Sequence, residues 1–167
     1  MKNVFKDLFK NLIAAIIIVY LLVNFIVMPC VVDGSSMYDT LKNNDFGYSF
    51  IISRKISINR FDIVVIRLGE EDSSRLLVKR VIGMPNETIE YKDNKLYING
   101  EYMEENFLND VFTADFKETL GEDEYFCLGD NRPVSRDSRF YGAFSDSQIV
   151  ATHLLVLYPF ADFGFKK

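Results

Sequence analysis

A serine hydroxyl becomes a useful nucleophile only when a neighbouring base takes its proton. A lysine can be that base only in its neutral form, which requires burial in apolar surroundings. Ser36 and Lys79 are residues of these two types in segments that meet the requirement. Ser36 stands in Asp33-Gly34-Ser35-Ser36-Met37-Tyr38-Asp39-Thr40-Leu41. Lys79 sits in the most apolar stretch beyond residue 33, between Leu76-Leu77-Val78 and Val81-Ile82. If that stretch is a strand, Arg80 faces the other way, because neighbouring side chains alternate. Lowering a lysine pKa from about 10.4 to near 8 corresponds to about 3 kcal/mol of differential desolvation, within reach of such a site. Taken alone, Lys79 reads more simply as an edge-strand lysine that guards against aggregation. A third segment carries more polar residues than a plain turn needs: Gly129-Asp130-Asn131-Arg132-Pro133-Val134-Ser135-Arg136-Asp137-Ser138-Arg139, followed by Gly142.

Other reactive types are scarce. The single histidine, His153, lies among apolar residues in Ala151-Thr152-His153-Leu154-Leu155, a structural setting, and any Ser/His mechanism would depend on it alone. Cys30 and Cys127 are far apart, show no metal-ligand spacing and read as buried thiols; nothing requires a bridge between them. No metal site and no cofactor are expected. A net charge of −5 gives no electrostatic case for binding nucleic acid.

The elements that must position these residues fall into two parts. A chain of 167 residues has room for one compact domain plus a membrane segment. No charge occurs between Lys10 and Asp33, and a helix over 11–32 would reach roughly 30 Å, the thickness of a bilayer's hydrocarbon core. Pro29 is expected to end or kink it. Lys2, Lys6 and Lys10 precede it, so the positive-inside rule keeps residues 1–10 cytoplasmic and sends 33–167 across the membrane. Beyond Asp33, short apolar or alternating runs at 48–52, 63–68, 76–82, 88–91, 96–98, 125–128 and 149–158 are separated by turn-formers. Asn99-Gly100 marks a hairpin between Leu96-Tyr97-Ile98 and Glu101-Tyr102-Met103. The pattern predicts a mainly β, antiparallel domain after one N-terminal transmembrane helix. Residues 86–124 read as a peripheral insertion, with the acidic, weakly patterned 104–124 its most mobile part.

Together, the three polar segments, the anchor, the strand Phe61-Asp62-Ile63-Val64-Val65 and the hairpin Lys95-Leu96-Tyr97-Ile98-Asn99-Gly100 resemble the bacterial type I signal peptidase family, in its compact single-anchor form. The resemblance covers nearly the whole chain, and the spacing of Ser135, Asp137, Ser138 and Arg139 is its most specific part. It implies a serine endopeptidase with Ser36 as nucleophile and Lys79 as general base, without cofactor. Ser135 would orient the lysine amine, and Asp137 with Arg139 would form a structural ion pair. Val32, Met37, Leu41, Leu77 and Val78 occupy the positions that line two shallow pockets for small substrate side chains. The Ser36 main chain would supply an oxyanion donor. Some members add a hydroxyl two residues before the nucleophile, where this chain has Gly34. Asp39 stands where the family usually has proline, and Asn86-Glu87 replaces the usual Gly-Asp.

The implied partners are the signal peptides of secretory pre-proteins, together with membrane lipid. Ser36 lies four residues past Val32, within about 14 Å of the expected end of the anchor. A leader is cut just beyond its own apolar stretch, so enzyme and scissile bond would meet at one depth on the outer membrane face. Two other readings remain at this point: a specialised, for example pilin-directed, peptidase, which Asp39 favours, and a non-catalytic membrane assembly factor on the same scaffold. Retention of both Ser36 and Lys79 argues against the second.

Overall fold

A computed structural model of the chain describes residues 2–69, 75–109 and 111–166. Helix α1 spans Lys2–Phe25, and strand β1, Val27–Val31, follows almost at once. The apolar segment expected to be one helix to Val32 is therefore divided, and its last residues belong to a sheet. Pro29 does not end the helix. It lies in β1 at the edge of the sheet, where a missing N–H costs no ladder bond. The charge-free part of α1, residues 11–25, spans about 22 Å, short of a hydrocarbon core of about 30 Å. Among the described residues no helix is long and apolar enough to cross a membrane. The large apolar side chains of α1 nonetheless stand exposed along its length.

The rest is sheet. β2 (Phe46–Phe50), β3 (Ile63–Leu68), β4 (Arg75–Gly83), β9 (Glu124–Leu128), β10 (Phe144–Ser145) and β11 (Ile149–Tyr158) join β1 in the order β1-β2-β11-β3-β4-β9-β10, and β12 (Gly164–Lys166) pairs with β11. A second sheet, β7-β6-β5-β8, is formed by β5 (Thr88–Lys92), β6 (Lys95–Ile98), β7 (Glu101–Met103) and β8 (Phe116–Thr119). Every pairing is antiparallel. Two short helices complete the fold: α2, Ile51–Ile56, where the run expected as strand turns helical, and α3, Ser138–Tyr141.

β3 explains why its sequence is apolar without alternation. Val64 and Ile66 enter a core with Val81, Cys127, Phe144 and Ile149. Ile63 enters another with Cys30, Val32, Met37, Leu41, Leu154 and Val156. A strand covered on both faces needs apolar residues at every position. A third core, built on Ile82, Ile89, Tyr91, Leu96, Leu120 and Phe126, joins the small sheet to β4 and β9. Residues 86–124 thus share a core with the strands that carry the polar segments. Glu87, one of the two departures noted in the turn after Met84, accepts from the Met84 N–H at 2.8 Å and pairs with Arg60.

Candidate active site

Lys79 sits in β4 opposite Val64 of β3, 3% exposed. Its amine donates to Ser36 Oγ at 2.6 Å and to the Val78 carbonyl at 3.0 Å. Burial lowers its pKa from 10.5 to about 8, against the opposing fields of Asp137 and Asp130. The charged form loses water here and gains too little from nearby carboxylates to compensate.

Arg80, the next residue, faces away into a buried network. Its Nε and NH2 donate to Asp130 Oδ1 and Oδ2 at 2.9 and 2.7 Å, and NH1 donates to the Phe61 carbonyl at 2.8 Å. Thr40 Oγ1 donates to Asp130 Oδ2 at 2.5 Å, which ties the loop after Ser36 to the same pair. Asn131 fastens that loop from the other side. Its N–H reaches the Ser36 carbonyl at 3.0 Å and its Nδ2 reaches the Ser35 carbonyl at 3.1 Å. Gly129 allows this close approach: a Cβ there would lie 2.2 Å from Ser135 Oγ and 2.4 Å from the Ser36 carbonyl oxygen.

Asp137 and Arg139 form an ion pair, with Nε to Oδ1 at 2.9 Å and NH2 to Oδ2 at 2.8 Å. Burial would raise the Asp137 carboxyl, but the Arg139 guanidinium and the Gly129 N–H outweigh it and hold it below its ordinary value. Ser135 is arranged differently from expectation. Its Oγ is buried beside Gly129, helps the Arg139 guanidinium and the Gly129 N–H hold the Asp137 carboxyl down, and among the described residues makes no hydrogen bond to the Lys79 amine.

A cleft of about 360 Å³ opens in front of Ser36 and Lys79, between Met28–Val32 on one wall and Arg75–Val78 on the other. Val32, Met37, Leu77 and Val78 line it. Leu41 does not; it is buried behind Met37 in the adjoining core. Among the described residues β1 pairs only with β2, and β9 joins β4 only from Arg80 onward. Both walls therefore turn an open strand edge to the cleft. Val65, Val134, Arg136 and Tyr141 also line it, none of them singled out by sequence.

Of the remaining candidates, Cys30 and Gly34 also border the cleft, whereas His153 and Cys127 do not. His153 Nδ1 is 2.9 Å from Thr152 Oγ1 and Nε2 is 3.2 Å from Asp62 Oδ1, a position that does not line the cleft. Cys30 and Cys127 are free and buried, and burial raises both thiols. No cluster of three or more His, Cys, Asp or Glu suited to a metal ion occurs among the described residues. Gly34 has φ +97°, donates its N–H to Asn43 Oδ1 at 2.8 Å, and has open space where a side chain would stand.

Comparisons with known proteins agree on one family. Residues 5–158 match the family described as signal peptidase, peptidase S26. Signal peptidase I S of Bacillus subtilis (strain 168) is 38% identical over 90% of this chain and 88% of its own. Signal peptidase IB of Staphylococcus aureus (strain MRSA252) is 31% identical over 99% of this chain and 95% of its own. The crystal structure of a signal peptidase I from Enterococcus faecalis V583 is 35% identical and superposes with a TM-score of 0.51, covering 57% of this chain and 96% of that one. With the family pattern running from α1 to the end of β11, this chain belongs to the signal peptidase family, peptidase S26.

Proposed function

We propose that this protein is a serine endopeptidase that removes N-terminal signal peptides from secreted pre-proteins, with Ser36 as nucleophile and Lys79 as general base. The observation that carries the reading is the 2.6 Å contact between a buried lysine amine and a serine hydroxyl at the floor of the cleft. In the reaction, neutral Lys79 takes the Ser36 proton as Oγ attacks the scissile carbonyl. The Ser36 main-chain N–H stabilises the oxyanion. Lys79 then gives the proton to the leaving amine, and the mature protein departs with a free N-terminus. Water, activated by the again neutral Lys79, hydrolyses the Ser36 ester and frees the signal peptide. The open edges of β1 and β4 suit an extended substrate, which adds backbone hydrogen bonds on both sides. The shallow apolar wall at Val32, Leu77 and Val78 suits small side chains.

The setting is part of the same proposal. α1 anchors the chain with residues 1–10 on the cytoplasmic side, and the β domain stands outside. Phe50, paired with Val27 just past α1, stacks on Phe165 at 5.4 Å between centroids. Tyr158, Phe160 and Phe163 also stand exposed, Phe160 at 82%. Aromatic residues favour the bilayer interface. Sinking this edge into the headgroups, with Lys6 and Lys10 extended to the opposite surface, lets a short apolar stretch serve as an anchor.

Purified protein in detergent, incubated with a leader-bearing precursor, tests the reading. Wild type should release the mature chain. Ser36→Ala and Lys79→Ala should each lose at least about a thousandfold in rate, and the double variant should be little worse than either, because the two residues act as a unit. His153→Ala should keep most of its activity. Substantial cleavage by Lys79→Ala would remove the dyad.

A further inference from the structure

Three side chains of the segment 105–109 reach the scaffolding of the dyad. Asn109 Nδ2 donates to Asp39 Oδ2 at 3.2 Å. The Phe107 ring lies under the Arg80 guanidinium, 4.1 Å from carbon to centroid, and against Phe61. Glu105 is the most consequential. Its Oε1 accepts from Arg132 NH2 at 2.5 Å and from the Tyr91 hydroxyl at 2.8 Å. Arg132 is wholly buried, and its other donors reach Tyr91 Oη, Thr113 Oγ1 and the Gly129 carbonyl at 2.7, 2.9 and 3.0 Å. Glu105 is the carboxylate paired with this buried charge among the described residues.

Arg132 thereby fixes Gly129 and the turn through Asn131, the turn that contacts the Ser36 and Ser35 carbonyls. There is no room for a side chain at Gly129, since a Cβ there would collide with the Ser36 carbonyl and Ser135. We propose that Glu105 is a positioning residue for the Ser36/Lys79 pair, acting through Arg132 and the Gly129–Asn131 turn, so that the small sheet is part of the catalytic unit. The inference rests on the dyad reading above. Without the Glu105 charge, a guanidinium is left buried and unpaired, and the turn must shift to admit water. The contact between Ser36 and Lys79 then lengthens and water reaches the amine, which holds its proton to higher pH. Asp137, Asp130, Cys127 and Arg75 are the other ionisable groups that act on that amine, and the substitution leaves all four in place.

The test compares wild type, Glu105→Gln and the exposed neighbour Glu104→Gln on a precursor peptide, at a temperature where circular dichroism shows all three folded. Glu105→Gln should lose about tenfold or more in kcat with KM within about twofold, and its kcat/KM profile should rise about half a pH unit or more later than wild type. Glu104→Gln should match wild type. Should Glu105→Gln fail to fold, Glu105→Asp, which keeps the charge at shorter reach, should show the same later rise in milder form. A variant that melts earlier but keeps wild-type kcat and midpoint per folded molecule would overturn the inference alone. A wild-type profile that persists in Lys79→Ala would overturn the dyad and the inference together.

Discussion

Lys79 is held where its amine binds a proton less readily than in water, and this has a thermodynamic consequence. Its folded-state pKa is about 8 against an ordinary 10.5. Between those values the unfolded chain holds a proton that the folded chain has released, so stability rises with pH across that window. The cost is present in full below pH 8, about 3 kcal/mol, and is gone above about pH 10.5. Lys79→Met should therefore be inactive yet more stable at pH 7 by on the order of 1–3 kcal/mol, the gain shrinking toward pH 10.5. Denaturant titrations at pH 7 and pH 10 measure this, and a variant no more stable than wild type at pH 7 would contradict a costly buried amine. The apolar setting of Lys79 is legible because the burial of a strand residue is largely set by its immediate neighbours, whereas Ser36, in a loop, is marked out only by the family resemblance. Their supports are not legible. Thr40 meets Asp130 across 90 positions and Glu105 meets Arg132 across 27, and no local pattern pairs one polar residue with another at such distances. Ser135 shows the same limit, since its place in the box does not say where its hydroxyl points. At Gly34 the backbone is in the left-handed region that L side chains avoid, so a hydroxyl introduced there carries strain even though space is open.

Among the elements, strands marked by an apolar run or a tight-turn signal are legible and those without either are not. β3 and β4 declare themselves through apolar runs bounded by turns, and the β6–β7 hairpin through Asn99-Gly100. β8 presents mostly exposed residues and β10 has two residues, too little for any periodicity to register. β1 is hidden for another reason. Its residues continue the apolarity of α1 without a break, and only tertiary pairing with β2 divides helix from strand. The turn around Gly129 is where elements meet most tightly, so it is the place to disturb their alignment. Gly129→Ala puts a methyl group against the Ser36 carbonyl and Ser135. A displacement of about 1 Å at a reacting atom can cost about a hundredfold in rate. We expect such a loss in kcat, with the β5–β8 sheet unchanged in hydrogen exchange; near wild-type activity would show that the turn has room the structure does not reveal.

At the scale of the whole molecule, α1 and the β domain both present exposed apolar side chains, Phe160, Phe163 and Phe165 among them. Serine at Phe160, Phe163 and Phe165 should weaken the binding of the β domain, cut free after Phe25, to lipid vesicles by about tenfold or more while leaving its circular dichroism unchanged. Equal binding would place the domain clear of the bilayer. The fold as a whole also sets the chemistry, because the environment of Lys79 is assembled from β4, β9, the loop of Ser36 and the turn that Arg132 holds from the small sheet. The dependence of kcat/KM on pH for the intact enzyme reads that environment directly. The account predicts a rise through one ionisation near pH 8, unchanged in His153→Ala and absent in Lys79→Ala. A rise near 6.5 that disappears in His153→Ala would contradict it.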